Sequence, residues 1–475
     1  MEQADQAEVP TVKTSKSAIW SLICGIAGLI LCLPSIPAVI LGIIALVNIN
    51  KAKGLLKGTG MAIAGLILAG LSVVVVPFII GLVAAIVIPL SVSRQTVKET
   101  YPIQKAPEIK VETEPIKSVH KNWQDPIISG LIWLAKHQNP DGSWGAKSFQ
   151  NQCKDTKCSG TGDEQFNIGL TGLSMLAFTG AGYTDSSRDT YDGICFGDVV
   201  KKASGYLISI QLSDGTFGGV KEGKFMYNQA LATYAMADLC ALAMDNPAGV
   251  IFREPVERAT KYIVDAQNPG KGWRYQPKGG VNDTSVTGWV AMALKAAEGC
   301  NIPVPPESFA GIKSFYDDVT DKTYGKVGYT ELGSLAVRGD EDQRLVNANT
   351  IQPCLTAIGI MVRISIDKKT TDPLIKLGVK QIISKLPTWD ISNPCIIDYY
   401  YWFYGTKCLT AYDGPAGKNW NIWWKKIKDV LPKNQCTKED GCADGSWDPI
   451  DRWGCEGGRV YSTTINILTL SSYFD

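Results

Sequence analysis

Carboxylates are the side chains of this sequence best placed to do chemistry, because histidine is almost absent. The chain has 475 residues and only two histidines, His120 and His137, which excludes most histidine-based zinc sites and catalytic triads. Asp283 and Asp398 each begin an apolar, helix-like segment. Because a carboxyl buried at such a place has a raised pKa, these two are the candidate catalytic residues. The alternative is that they only cap their helices.

A further carboxylate string, Asp317-Asp318-Val-Thr-Asp321, has the Asp-Asp-x-x-Asp spacing with which class I terpene synthases hold Mg²⁺ and diphosphate. It lies where other parts of the chain carry a Gly-rich turn, as at Asp141-Gly142 and Asp214-Gly215. We therefore interpret the string as a solvated turn, and the sequence predicts no metal site and no cofactor.

The cysteines favour disulfides over metal binding. The 13 cysteines include no C-x-x-C pair, and with so little histidine a zinc cluster is disfavoured. We predict at least one disulfide within a group that lies in Gly-rich loops of a domain predicted below to be exported: Cys153, Cys158, Cys436, Cys442 and Cys455. Ordinary buried thiols are the alternative.

Charge and composition exclude two classes of protein. Lys+Arg is 47 and Asp+Glu is 46, a net charge of +1, so the chain lacks the basic surplus of a nucleic-acid partner. The apolar fraction is 45% and the charged fraction 20%, which is typical of a folded rather than a disordered chain.

The N-terminal part predicts a transmembrane helical hairpin. After a polar tail (1–17), two apolar runs, 18–47 and 61–92, each exceed the roughly 20 residues that cross a hydrocarbon core. The loop between the runs carries lysines and no acidic residue, so we expect it to be cytoplasmic. Everything after residue 92 then lies outside the cytoplasm, unless Pro34 and Pro37 turn the first run into a hairpin of its own.

Residues 18–92 resemble the two-span membrane modules grouped as domain-of-unknown-function family 4190. The resemblance lies in Ile40-Leu-Gly-Ile-Ile-Ala-Leu, the basic loop and Gly58-Thr-Gly-Met-Ala-Ile-Ala-Gly-Leu. It implies an integral protein of the bacterial cytoplasmic membrane, with the lipid bilayer as a partner, and no known chemistry. A Pro-containing polar stretch, 93–122, reads as an extended linker to the last domain, 123–475.

From Trp123 onward a helix-hairpin unit recurs, in which an amphipathic helix, a Gly-rich turn and a more apolar helix alternate six times. The first helices are predicted near 125–138, 196–211, 255–267, 306–318, 373–386 and 419–431, and the second near 165–179, 227–244, 283–298, 350–366, 396–411 and 460–474. Helices that are apolar on most faces are buried all round, so the second set is predicted inside. The apolar last helix needs a partner, which favours closure into an α6/α6 toroid over an open solenoid.

Four units share a sequence motif in which Gln is followed by a Gly-rich turn and an aromatic residue. These pairs are Gln138 with Trp144, Gln211 with Phe217, Gln267 with Trp273, and Gln435 with Trp447. This motif is similar to the QW motif of squalene and hopene cyclases, and the helix pairs are similar to prenyltransferase repeats. The resemblance implies an all-α toroid whose central cavity handles an isoprenoid, with Gln and the aromatic bracing adjacent helices.

The chain departs from that superfamily where its chemistry resides. Cyclases protonate an alkene with the middle carboxyl of Asp-x-Asp-Asp, but Asn282 stands at that position and an amide cannot donate the proton. Protein prenyltransferases hold zinc with a late histidine, and none follows His137. Squalene cyclisation is therefore not expected, and whether the toroid is an enzyme at all stays open.

All inner helices run the same way, so their N-termini converge at one mouth of the toroid. The predicted ligand-binding residues are Asn167, Tyr227, Asn228, Asp283, Thr284, Trp289, Gln352, Asp398, Tyr399, Trp402 and Tyr461. An apolar cavity with polar groups at its mouth suits an isoprenoid or lipid ligand. The alternative function is a non-catalytic extracytoplasmic scaffold that binds a peptide or a protein partner.

Overall fold

The computed structural model describes residues 13–14, 16–17, 19–20, 35–51, 56–57, 59–64, 66–68 and 124–473, without 155, 222, 245–248, 337–351 and 393–395. The chain divides into two compact units, Met1–Thr113 and Glu114–Asp475. The domain boundaries drawn from the sequence stay a prediction.

In the first unit the described elements include helix α1 (Ser35–Lys51) and two short strands, β1 (Lys13–Thr14) and β2 (Leu56–Lys57), which pair in parallel. Pro37 falls in the first turn of α1, where a missing N–H costs nothing. The predicted transmembrane hairpin is not supported, because none of the described helices is both long and apolar enough to cross a bilayer. Residues 69–92 of the second apolar run lie outside the described residues.

In the second unit two sets of helices alternate along the chain, as predicted. The first set is α2 (Gln124–Lys136), α4 (Phe196–Ile210), α6 (Val250–Asp265), α8 (Pro306–Val319), α10 (Pro373–Ile383) and α12 (Lys418–Lys433). The second set is α3 (Asn167–Gly180), α5 (Phe225–Leu242), α7 (Thr284–Gly299), α9 (Cys354–Asp367), α11 (Tyr399–Asp413) and α13 (Gly454–Ser471). A short hairpin, β3 (Thr190–Tyr191) and β4 (Ile194–Cys195), precedes α4.

Burial separates the two sets into an outer and an inner layer. Outer helix α12 buries a stripe that includes Trp420, Trp423 and Ile427, while Lys425 and Lys428 on its other face are exposed. That spacing is the apolar stripe of a helix with one face in water. Inner helix α13 is instead buried along nearly its whole length. The core therefore lies between the layers and within the inner ring.

The inner helices form a closed ring. In chain order, α3, α5, α7, α9, α11 and α13 each pack against the next, and α13 packs back against α3 and the outer helix α2. An open solenoid would leave α13 and α3 apart, so the closed alternative is confirmed.

The repeated glutamines bridge neighbouring units in one common way. Gln267 Nε2 donates to the carbonyl of Lys271 in its own turn (2.7 Å) and to that of Ser308 in the next outer helix (3.0 Å). Gln138 and Gln211 do the same toward Val199 and Pro255. Gln435 makes the bridge to Pro126 of α2 at 2.8 Å, so the motif also joins the last unit to the first.

The aromatic residue of each turn ties both layers together. Trp144, Trp273 and Trp447 donate through Nε1 to a carbonyl in the last turn of the preceding outer helix, at 2.8–2.9 Å. Such carbonyls have no partner within their helix. The backbone N–H of each Trp donates to a threonine of the following inner helix, and that of Phe217 donates to Gln229. The bracing role implied by the resemblance thus has a hydrogen-bond basis.

Candidate functional site

A cavity of about 220 Å³ lies at the N-terminal ends of the inner helices, the mouth at which these ends were predicted to converge. Aromatic residues dominate its wall: Phe166, Tyr227, Tyr275, Trp289, Tyr329, Tyr400, Trp453 and Tyr461. Aliphatic positions on α3 and α5, Leu170, Leu173 and Leu231, complete it.

Trp289 belongs to the wall of the cavity and is backed by two aromatic residues outside the lining. Its ring stacks on Phe403 with centroids 5.6 Å apart and meets Tyr404 edge-on at 5.3 Å. Because all three rings are buried, these contacts fix the orientation of the Trp289 ring in the wall.

Among the described residues, a few charged groups lie at the mouth. Lys224 Nζ lies 3.1 Å from the Glu456 carboxylate and 5.4 Å from the centroid of the Phe166 ring. The Arg274 guanidinium lies 4.9 Å from the centroid of Tyr275. Both cations thus lie over aromatic faces, where a ring's negative face holds a cation. The Tyr275 and Tyr329 hydroxyls are hydrogen-bonded at 2.9 Å.

Asp283 caps α7 and lies behind the cavity wall. Its Oδ1 accepts from the Val286 N–H at 2.7 Å, and its Oδ2 lies 3.9 Å from Arg274 Nε. The side chain is fully buried, and this burial raises the pKa of Asp283 to about 7. Tyr329, which lines the cavity, interacts with the carboxyl. Asp283 therefore contacts the wall at Tyr329 and does not itself line the cavity.

Asp398 caps α11 and has a second buried carboxyl, Asp451, as its neighbour. Asp398 Oδ1 accepts from the Tyr401 N–H at 2.8 Å, and burial raises its pKa. Burial and the nearby Asp398 charge raise the pKa of Asp451 to about 8. Asp451 Oδ2 accepts from the hydroxyl of the wall residue Tyr461 at 3.3 Å. Burial thus raises the pKa of both Asp283 and Asp398, and their catalytic role stays a prediction.

Of the predicted ligand-binding residues, Tyr227, Trp289 and Tyr461 line the cavity. The other eight, Asn167, Asn228, Asp283, Thr284, Gln352, Asp398, Tyr399 and Trp402, lie outside the lining. The polar ones among them hold segments together. Asn228, for example, accepts from the Gly169 N–H and donates to the Gln165 carbonyl, both at 2.7 Å.

Sequence reasoning missed most of the wall. Tyr275 and Tyr329 follow the Gly-rich turns and Trp453 precedes α13, so helix periodicity could not find them. Tyr400 could have been found, because it stands four residues before Tyr404 and packs on it at 4.9 Å. Tyr399, the predicted residue, points instead to the Asp448 carbonyl at 3.1 Å.

Two further sequence interpretations can be checked here. Asn282 Oδ1 accepts from Asn268 Nδ2 at 2.8 Å and from the Gly272 N–H at 3.0 Å, so its amide braces the turn. In the Asp-Asp-x-x-Asp string, Asp317 pairs with Arg363 and Asp318 with Lys271, and Asp321 accepts from the N–H groups of Thr323 and Tyr324. The three carboxylates thus have separate partners. The interpretation as a turn is wrong for Asp317 and Asp318, which lie in the last turn of α8, and only Asp321 belongs to the turn beyond the helix.

The structure contradicts the disulfide prediction. The ten described cysteines, Cys153, Cys158, Cys436, Cys442 and Cys455 among them, are free thiols. Three of these, Cys153, Cys158 and Cys442, meet His137 instead, with all four potential ligand atoms within 4.8 Å of one another. The sequence predicted no metal site, and its spacing could not indicate this cluster, because only ring closure brings Cys442 to His137.

Comparisons with known proteins identify only the N-terminal segment. Residues 17–80 match the family DUF4190, described as a domain of unknown function, which confirms the resemblance of that segment. No curated protein matches the chain.

Solved structures that resemble the chain do so weakly. An inactive variant of the α-1,6-mannanase GH76A of Salegentibacter sp. HEL1_6, in complex with α-1,6-mannotriose, is 13% identical, covers 74% of this chain and 98% of its own, and has a TM-score of 0.48. A variant of the type II terpene cyclase MstE from Scytonema is 13% identical, with 74% and 96% covered and a TM-score of 0.44. At these scores neither activity transfers to this chain, and the closed ring rests on the helix contacts described above.

Proposed function

We propose that the toroid binds a compact apolar ligand, such as a short isoprenoid, in the aromatic cavity at its mouth. The observation that carries this is the wall itself, in which aromatic rings surround a space with one Lys-Glu pair at its edge. Large aromatic faces with few polar groups are typical of sites for apolar small molecules.

The size of the cavity narrows the ligand. About 220 Å³ lies between the roughly 150 Å³ of a cavity that holds benzene and the roughly 300–1,000 Å³ of drug-sized sites. That space suits one or two isoprene units better than a thirty-carbon chain or an extended peptide. Lys224 and Arg274 would meet an anionic head group at the mouth. The braced Asn282 amide supplies no acid, so we expect no squalene cyclisation.

The test compares geraniol, geranyl diphosphate and inorganic diphosphate as ligands in a thermal shift experiment. We expect both prenyl compounds to raise the Tm by mass action, and diphosphate alone to do so least. Leu231→Trp, which fills the cavity, should abolish the shift. Leu212→Trp, at a half-exposed position outside the lining, should not. No shift with either prenyl compound would favour the peptide- or protein-binding scaffold.

We further propose that the N-terminal unit anchors the chain in a membrane with the toroid outside the cytoplasm. The apolar runs 18–47 and 61–92 and the lysine loop between them support this. Protease added to intact spheroplasts should then degrade residues 123–475, and the toroid should survive only if the topology is the reverse.

A further inference from the structure

We propose that His137, Cys153, Cys158 and Cys442 bind a structural zinc ion that staples the closed ring. His137 lies just after the end of α2, Cys153 and Cys158 in the loop before α3, and Cys442 in the short helical segment Lys438–Ala443 that precedes α13. The site therefore joins the first helix-hairpin unit to the last one, across 305 residues of sequence.

The donor distances fit a tetrahedral metal. His137 Nε2 lies 3.3 Å from the Sγ of Cys442 and 3.6 Å from those of Cys153 and Cys158. With Zn–S of about 2.3 Å and Zn–N of about 2.0 Å, a tetrahedral site separates N from S by roughly 3.5 Å. The three N–S distances thus match the spacing that one shared ion requires, and all four atoms lie within 4.8 Å of one another.

The imidazole is held in the tautomer that a metal needs. Nδ1 of His137 lies 2.8 Å from the Trp133 carbonyl oxygen. Because a carbonyl only accepts, Nδ1 carries the proton, and Nε2 presents its lone pair to the sulfurs. The ring is buried and stacks on Trp133 with centroids 4.2 Å apart, so its orientation is fixed before any ion arrives.

The surroundings of the sulfurs suit a site with excess negative charge. Three thiolates, a neutral histidine and Zn²⁺ sum to a net charge of −1. The Cys158 N–H lies 3.4 Å from the Cys153 sulfur, where it can donate to a thiolate. The buried Arg459 guanidinium donates to the Ser159 carbonyl, next to Cys158, at 2.9 Å. The backbone thus offers a donor to one cluster sulfur, and Arg459, which is also ion-paired with Asp448, holds the residue that follows Cys158.

The donor set indicates which ion and which role. Three soft thiolates with one imidazole select Zn²⁺ over Mg²⁺ or Ca²⁺, which prefer oxygen. Four protein ligands fill a tetrahedral shell and leave no position for water, which is the arrangement of structural rather than catalytic zinc. Since the ligands come from the first and last units, the ion would stabilise ring closure itself.

The experiment measures the metal in the full-length protein purified without chelators. We expect about one zinc per chain by mass spectrometry, and an X-ray absorption spectrum with about three sulfurs near 2.3 Å and one nitrogen near 2.0 Å. Cobalt exchanged for zinc should show the intense visible bands of a tetrahedral thiolate site. These readouts on the wild type need no variant to fold.

Variants then assign the ligands. Cys442→Ser should lose the bound zinc and have a lower Tm than the wild type. Cys436 lies nearby in the sequence but outside the cluster, so Cys436→Ser should keep the zinc and the wild-type Tm. A chelator should lower the Tm of the wild type toward that of Cys442→Ser and leave the variant unchanged. Wild-type protein without bound metal, or a disulfide between any two of the three cysteines under non-reducing conditions, would overturn the proposal.

Discussion

At Asp283 one carboxyl both caps α7 and is cut off from water, and these two situations favour opposite protonation states. The helix N-terminus and Arg274, at 3.9 Å, favour the charged form, while full burial favours the neutral form and raises the pKa to about 7. Burial wins because no solvent reaches the carboxyl. The carboxyl therefore has a pKa near neutrality and lies beside Tyr329, which lines the cavity.

This balance predicts how stability depends on pH. Asp283 binds its proton more tightly in the fold than in the unfolded chain, so its contribution to stability falls as pH rises from about 4 to about 7. The loss is at most about 4 kcal/mol, since tenfold in proton affinity is worth about 1.4 kcal/mol. Asp283→Asn keeps the cap oxygen and should make that part of the pH profile in urea unfolding less steep, leaving the slope that Asp398 and Asp451 contribute. An unchanged pH profile in Asp283→Asn would show that the carboxyl does not titrate in this range.

The same residue provides a second, separate prediction. Asp283→Ala removes the capping oxygen as well as the titrating group. At pH 4 the native carboxyl is neutral, as the Asn amide is, so Asp283→Ala should lower the free energy of unfolding by about 1 kcal/mol more than Asp283→Asn. Urea unfolding of the two variants at that pH measures the difference. Equal stabilities would mean that the 2.7 Å bond to the Val286 N–H contributes nothing.

At the residue scale the sequence locates the mouth but not its wall. Position along an inner helix places Tyr227, Trp289 and Tyr461 at the mouth, where all three line the cavity, since helix ends that converge bring their first turns together. It cannot place Tyr275 or Tyr329, because a loop has no periodicity that says which way its side chains face. The sequence could not predict the proposed zinc ligands either, because only the closed ring makes Cys442 a neighbour of His137.

At the scale of one helix-hairpin unit, the tryptophan of the Gly-rich turn donates a hydrogen bond to the C-terminal end of the outer helix before it. Trp273 Nε1 donates to the Ile263 carbonyl at 2.9 Å in the last turn of α6. In the second unit Phe217 takes this place and its backbone N–H is bonded to Gln229 at 3.0 Å, so the ring and not the indole N–H is common to both units. Burial of an aromatic ring is thus the shared contribution, and the helix-end bond is an addition.

The contrast between the two units predicts a graded series at Trp273. Trp273→Phe keeps most of the ring but leaves the Ile263 carbonyl unpaired, which should cost about 1–3 kcal/mol. Trp273→Ala also empties the space between the layers and should cost about 3–5 kcal/mol. Chemical denaturation measures both values. If Trp273→Phe were as damaging as Trp273→Ala, the ring itself would contribute little, contrary to the role that Phe217 indicates.

At the scale of the whole molecule, closure of the ring follows from local patterns only in part. Alternation of amphipathic and apolar helices predicts the two layers, and the described helices begin and end within six residues of their predicted bounds. Closure itself was inferred from the apolar last helix, since a solenoid ends in a polar cap. The sequence could not give the size of the ring's interior, because the aromatic rings around Trp289 decide how much of it stays empty.

Ring closure predicts that a glycine in the Gly-rich turn of the last helix-hairpin unit is as constrained as the equivalent glycine of an earlier unit. Gly445 has φ +88°, and an added Cβ would lie 2.3 Å from the Ser129 carbonyl oxygen of α2. Gly142 has φ +94° and its Cβ would lie 2.2 Å from the Lys202 carbonyl oxygen of α4. Gly270, at φ +64°, would meet no atom within 4 Å.

Alanine at these three glycines therefore separates closure from local strain. Gly270→Ala should cost only the roughly 1–2 kcal/mol of a left-handed residue with a side chain. Gly142→Ala should cost more, because backbone atoms of the next outer helix must also move. In the closed ring Gly445→Ala should match Gly142→Ala, since α2 stands against it as α4 stands against Gly142. Unfolding free energies from urea titrations decide the order, and a Gly445→Ala value that falls with Gly270→Ala would mean that the last unit does not press on the first in solution.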